Sequence, residues 1–123
     1  MGLSSSRAAG ALVFLASCVM SPSVLAHAHL KQQTPAADSL VTAPRTLTLT
    51  FSEGIEPGFS GVVVTDAQKQ TIRTGAVKRD EKDKTQLNVP LDREFTPGTY
   101  QVDWHVVSVD GHKTKGSYHF SVK

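Results

Sequence analysis

Residues 99–122 read TYQVDWHVVSVDGHKTKGSYHFSV. Tyr100, Val102, Trp104 and Val106 alternate with Gln101, Asp103 and His105. Side chains two apart share one face of a strand, so one face here is apolar and the other polar. The pattern predicts a long strand over 99–110. Gly111 allows a turn, and residues 115–122 return as a second strand with Tyr118, Phe120 and Val122 on one face. Strands with one dry and one wet face belong to an all-β domain.

The same period runs outward from this stretch. In residues 45–51, Leu47, Leu49 and Phe51 point one way and Thr46, Thr48 and Thr50 the other. A first strand is expected over 27–33, ending at Thr34-Pro35. Asp38, Ser39 and Pro44 mark 36–44 as a connection. Residues 52–61 hold three Gly and one Pro and form a long loop. Further strands are expected over 62–66, 70–74 and 85–89. The mixed charge run at 78–84 reads as a solvated hairpin tip, and 90–97 as a connection. About seven short strands separated by turn signals predict a small antiparallel β-sandwich or barrel. The expected core is Leu47, Leu49, Phe51, Tyr100, Val102, Trp104, Tyr118 and Phe120.

Residues 1–26 have a different character. Arg7 precedes an apolar stretch over 8–20, Pro22 breaks it, and Val24-Leu25-Ala26 offers small residues for cleavage. This is a secretory signal pattern. The apolar stretch is short of the ~20 residues a spanning helix needs, which argues against a retained anchor. Leu15-Ala16-Ser17-Cys18 also resembles a bacterial lipobox, which would make Cys18 a lipidated terminus. Cleavage after Ala26 is the expected route, because apolar character continues past Cys18. The mature domain is then 27–123, exported out of the cytoplasm.

Composition narrows the classes. The chain has 123 residues, 13 basic against 11 acidic, with one Cys. The length suits one domain. The signs are interspersed, which does not suit a nucleic-acid partner. A single Cys excludes an internal disulfide framework and a Cys-based zinc site. Both Met residues and the Cys lie in 1–26, so 27–123 contains neither residue type.

The chemistry sits in the histidines. Cleavage after Ala26 leaves His27-Ala28-His29 at the terminus. An amino-terminal His offers an α-amine and a ring nitrogen that close a chelate on one metal. Their reference pKa values, about 7.7–8.0 and about 6.5, let a metal displace both protons near neutrality. A rival mode uses the amine, two deprotonated amides and the ring of His29. It needs a mobile terminus, whereas the first mode suits one packed on a sheet. Asp110-Gly111-His112 is the second candidate: a carboxylate and an imidazole two apart can face one ion, and Gly111 lets the chain bend. Glu53, just after the 45–51 strand, is the third. His105 and His119 lie opposite the apolar faces and read as exposed, not as ligands. Nitrogen and oxygen donors without thiolate or thioether favour Cu(II), for which the divalent stability order peaks.

These residues resemble the CopC family of periplasmic copper-binding proteins, in its YobA-like branch. The resemblance runs through 27–31 (HAHLK), 34–39 (TPAADS), 47–54 (LTLTFSEG), 97–100 (PGTY) and 102–116 (VDWHVVSVDGHKTKG). It implies a Greek-key β-sandwich or barrel of immunoglobulin-like or cupredoxin-like type. It also implies one Cu(II) ion held by His27, Asp110 and His112. The family's Ser-Glu acid falls on Glu53, whose direct ligation is less certain, and His29 is an accessory candidate. A Met-rich Cu(I) site found in some members has no residues here. The implied role is sequestration, resistance or delivery of copper by a monomer, with a CopD-type inner-membrane protein as partner, and not catalysis.

Two other classes stand beside it. An amino-terminal His with a second His is also the copper ligation of oxidative polysaccharide-cleaving enzymes. Those need a flat face of exposed aromatics, and here most aromatics lie on the expected core face, with Phe59 the chief exception. A metal-free interaction module on the same sandwich is the other, since fold does not decide function.

Overall fold

The structure is a computed structural model, and it describes residues 28–123. Residues 1–27, with the expected signal segment, Cys18 and His27, lie outside the described residues. Among the described residues nine strands are present: β1 Leu30–Thr34, β2 Leu40–Val41, β3 Thr46–Phe51, β4 Gly61–Thr65, β5 Thr71–Ile72, β6 Lys78–Arg79, β7 Gln86–Pro90, β8 Gly98–Val107 and β9 Lys113–Val122. They form two sheets, ordered β1-β3-β7-β6 and β2-β9-β8-β4-β5. The chain crosses between sheets from β1 to β2, back to β3, over again to β4, back from β5 to β6, and once more from β7 to β8, which gives a Greek-key sandwich. No helix among the described residues is long and apolar enough to cross a membrane.

The long hairpin is the backbone of the larger sheet. Strands β8 and β9 pair in antiparallel register from Gly98↔Val122 to Val107↔Lys113. All eight expected core residues are buried. They are joined by residues not in that set, among them Ala28, Ile55, Val64, Leu87, Val89, Phe95 and Val106. Phe51 and Trp104 join the sheets by an edge-on ring contact at 5.2 Å. At the other end of β8, Phe95, Tyr100 and Phe120 form a second aromatic group, with Phe95 and Tyr100 at 4.7 Å. Gly116, opposite Trp104 in the register, makes room for the indole, because a Cβ there would sit 2.6 Å from its ring. Tyr118 has its hydroxyl buried among the core without a hydrogen-bond partner, and burial pushes its phenol pKa up.

Three expectations need correction. There are nine strands and not seven, because β2 and β6 are two-residue strands. Two residues show no alternation, so only their partners reveal them. The sandwich is also not wholly antiparallel, since β2 runs parallel to β9. The charge run at 78–84 is only partly a solvated tip. Lys78–Arg79 pairs with β7, and Arg79 Nη1 donates to Ile55 O at 3.1 Å.

Candidate metal centre

Three segments meet at one end of the sandwich. The segment before β1 is tied to the end of β3: His29 N–H donates to Ser52 Oγ, and Ser52 N–H donates to His29 O, each at 2.8 Å. The loop after β3 is tied to the end of β8. Glu56 N–H donates to Val107 O at 2.8 Å, and Val109 N–H to Gly54 O at 2.9 Å. An isolated bridge between Ile55 and Ser108 lies between them. Thr114 at the start of β9 donates from Oγ1 to Ala28 O at 3.0 Å, closing the ring of contacts.

The turn between β8 and β9 shapes the Asp-x-His pair. Ser108 N–H donates to His112 O at 2.9 Å, and Gly111 N–H to Ser108 O at 2.8 Å. Gly111 has φ +91, a left-handed conformation in which a side chain is strained. The tight turn brings His112 Nδ1 to 3.0 Å from Asp110 Oδ1, with both side chains partly open to solvent. Ser108 is fully buried beneath them. Its hydroxyl donates to Asp110 Oδ1 and lies 3.3 Å from the His112 amide.

These bonds set the charge. The Ser108 hydroxyl, and after it His112, hold the Asp110 carboxyl down to about 2. Hydrogen bonds to the ionised form favour it, so Asp110 is a carboxylate across the neutral range. The linkage has a definite sign. A depressed carboxyl stabilises the fold above its unfolded value, about 3.9, and loses that contribution as pH falls toward about 2. Ser108→Ala is expected to raise the Asp110 midpoint toward the unfolded value, so that the contribution is smaller and its loss, still beginning near the unfolded value, ends at higher pH. A carbon-detected NMR titration reads the midpoint, and an unmoved value would show that Ser108 does not set it.

Glu53 is half-buried, and its Oε2 atom is out of solvent with no hydrogen-bond partner. A carboxylate oxygen left so is costly, and a cation or a proton relieves it. That chemistry fits a nearby positive ion. Among the described residues, however, no three of His, Cys, Asp and Glu stand close enough to hold one ion. The structure therefore assembles Asp110 and His112 as a pair. It brings His29 and Glu53 to the same end in neighbouring segments, without adding them to that pair. His27 lies outside the described residues. His105 and His119 are exposed, as expected.

Ser108, Ser52 and Thr114 are the residues that sequence reasoning passed over. Ser108 had a signal. It continues the inward parity of Val102, Trp104 and Val106, so a polar group was due in the core and needed partners. Thr114 shares the inward parity of Tyr118, Phe120 and Val122. Ser52 had none, because its partner is 23 residues away.

The comparisons with known proteins follow this geometry. The CopC domain model matches residues 30–123. The chain belongs to the CopC family. Protein YobA of Escherichia coli strain K12 is 58% identical over 114 residues, covering 92% of each chain. Among solved structures, CopC from Methylosinus trichosporium OB3b is 30% identical with TM-score 0.74, over 79% of this chain and 94% of that one. PcoC from Escherichia coli, described as a methionine-rich copper resistance protein, is 34% identical with TM-score 0.71, over 79% and 99%. Both carry the CopC sandwich, so the fold of this CopC-family chain is that of its relatives along its described length. The methionine richness is not shared, since this chain has two Met residues, Met1 and Met20.

Proposed function

We propose that this CopC-family protein is an exported, periplasmic carrier of one Cu(II) ion. Processing after Ala26 frees the His27 amine, and residues 27–123 form the carrier domain. The His27 amine and ring, with the His112 imidazole, supply nitrogen donors. Asp110 supplies a carboxylate beside His112, and Glu53 is the acid on the approach. The copper is cargo, held for sequestration or for delivery to a CopD-type inner-membrane partner, and the protein acts as a monomer without catalysis.

One observation carries this reading. The segment that follows His27 is pinned between Ser52 and Thr114, and Thr114 stands two residues from His112. Ala28, the residue that follows His27, is thereby fixed at the end of the sandwich that carries the Asp110–His112 pair. The orphaned Glu53 oxygen at the same end adds a second reason for a cation there. The relatives' copper resistance names agree with this cargo. The lack of Cys and Met after residue 26 suits Cu(II) over Cu(I).

The amine makes the reading testable. Protein processed to begin at His27 is expected to bind one Cu(II) tightly. The same protein with one extra residue before His27 is expected to lose the amine chelate and bind at least about a hundredfold more weakly, more than the loss of a supporting contact around a ligand costs. Cu(II) titration followed by electron paramagnetic resonance measures both. Equal binding by the two forms would rule out the terminal amine as a ligand.

A further inference from the structure

We infer that Ser52 and Thr114 form a latch that denies the folded protein square-planar chelation by its own first three residues, and so selects against Ni(II). The inference rests on the carrier reading for its importance, but its observation is separate. The peptide unit between Ala28 and His29 has both polar ends engaged. Its carbonyl, Ala28 O, accepts from Thr114 Oγ1 at 3.0 Å. Its amide, His29 N–H, donates to Ser52 Oγ at 2.8 Å. The next carbonyl, His29 O, accepts from Ser52 N–H at 2.8 Å, and Ala28 is 1% exposed.

A terminus with His in third place binds Cu(II) or Ni(II) in one plane. The donors are the amine, the amide nitrogens of residues two and three, and the third ring. Each amide gives its proton to solvent, two per metal bound. In this chain those amides belong to Ala28 and His29. For His29 N to become a ligand, the metal must take the position where Ser52 Oγ stands. The unit must also turn flat with its neighbours, which pulls Ala28 O from Thr114 and Ala28 out of the core. Opening two such hydrogen bonds lowers affinity for this mode by about tenfold to a hundredfold, before the exposure of Ala28 is added. Separate imidazole, amine and carboxylate donors leave Cu(II) well served. Ni(II) gains most from the flat four-nitrogen set and loses it here.

The test uses Ni(II) alone with protein that begins at His27, near neutral pH. Square-planar Ni(II) shows a yellow absorption band and releases two amide protons per ion, besides those displaced from the amine and the ring. With free Ni(II) buffered at the concentration that half-saturates the chain in urea, the folded wild type is expected to show less than about a fifth of the band seen there. Thr114→Val, nearly equal in volume, and Ser52→Ala together are expected to restore the band in buffer. Thr114→Ser, which keeps the hydroxyl, should stay silent. His29→Ala should abolish the band in buffer and in urea alike. A full band from folded wild type would overturn the latch. So would a folded double variant, checked by circular dichroism, that stays silent. If the double variant unfolds, Thr114→Val alone and the wild-type comparison with urea decide by the same band. Failure of the carrier reading would look different: Cu(II) binding would ignore His112, with the Ni(II) pattern unchanged.

Discussion

His112→Ala is expected to weaken Cu(II) binding by at least about a hundredfold while leaving the fold intact. The two halves of that result have separate causes. The His112 side chain is 45% exposed, so its removal opens no cavity. The backbone bonds of the turn, from Ser108 N–H to His112 O and from the His112 amide to Ser108 Oγ, survive in alanine. What is lost is the imidazole beside the Asp110 carboxylate. A supporting contact around a ligand is worth 10–100-fold, roughly, so a donor itself should exceed that. Binding to the folded state alone raises its stability by about 2.7 kcal/mol at a hundred times Kd. Wild-type protein should therefore gain melting temperature on adding Cu(II), and His112→Ala should gain little at the same concentration. A variant that binds as wild type, by calorimetric titration, would remove His112 from the site. Strong residual binding that vanishes with His29→Ala would instead identify chelation by the terminal tripeptide.

Phe51→Ala should give the largest loss of stability. Phe51 is 1% exposed, ends β3, and meets the Trp104 ring edge-on at 5.2 Å across the two sheets. Truncating a buried Phe costs about 3–5 kcal/mol through lost burial and the cavity left behind. Domains of this size hold roughly 5–15 kcal/mol in all. At several degrees per kcal/mol, the melting temperature should fall on the order of 20 °C. Phe51→Leu should cost less than half of that, because it fills most of the space. A fall of only a few degrees for the alanine variant would mean that the sheets repack without the ring. The effect should reach the site as well, because Ser52 follows Phe51 directly and holds His29.

Much of this fold is legible in the chain, and the reason is periodicity. The 45–51 and 99–106 stretches alternate strictly because each lies on a sheet with one wet face. Six of the eight expected core residues lie there, with Tyr118 and Phe120 on the returning strand, and all eight could be named without coordinates. The strands β2 and β6 are different in kind. Two residues carry no period, and their pairing is decided by β9 and β7, far away in sequence. The site divides in the same way. Asp110, Gly111 and His112 form a local motif, and the local turn does bring the pair together. Glu53 reads as an acid in a loop, and nothing nearby in sequence says that one oxygen is buried. That burial arises where residues 54–56 are stitched to 107–109, a contact across more than fifty positions. Ser108 falls between these cases: its parity marks it as inward, but its partners come from the turn it begins.

The Thr114 bond to Ala28 spans 86 positions. Contacts of that separation form late, because a long loop must close before they contribute. The proposed metal site therefore does not exist in a chain that is half threaded or half folded. Before closure, the His27-Ala28-His29 terminus of a processed chain is an indiscriminate chelator, open to whichever ion arrives. After closure, it answers to the far end of the sequence. Choice of metal is thus a matter of timing. An ion that reaches the chain early meets one ligand set, and an ion that arrives late meets another. On the carrier reading, protein that holds copper through Asp110 and His112 is protein that finished folding first.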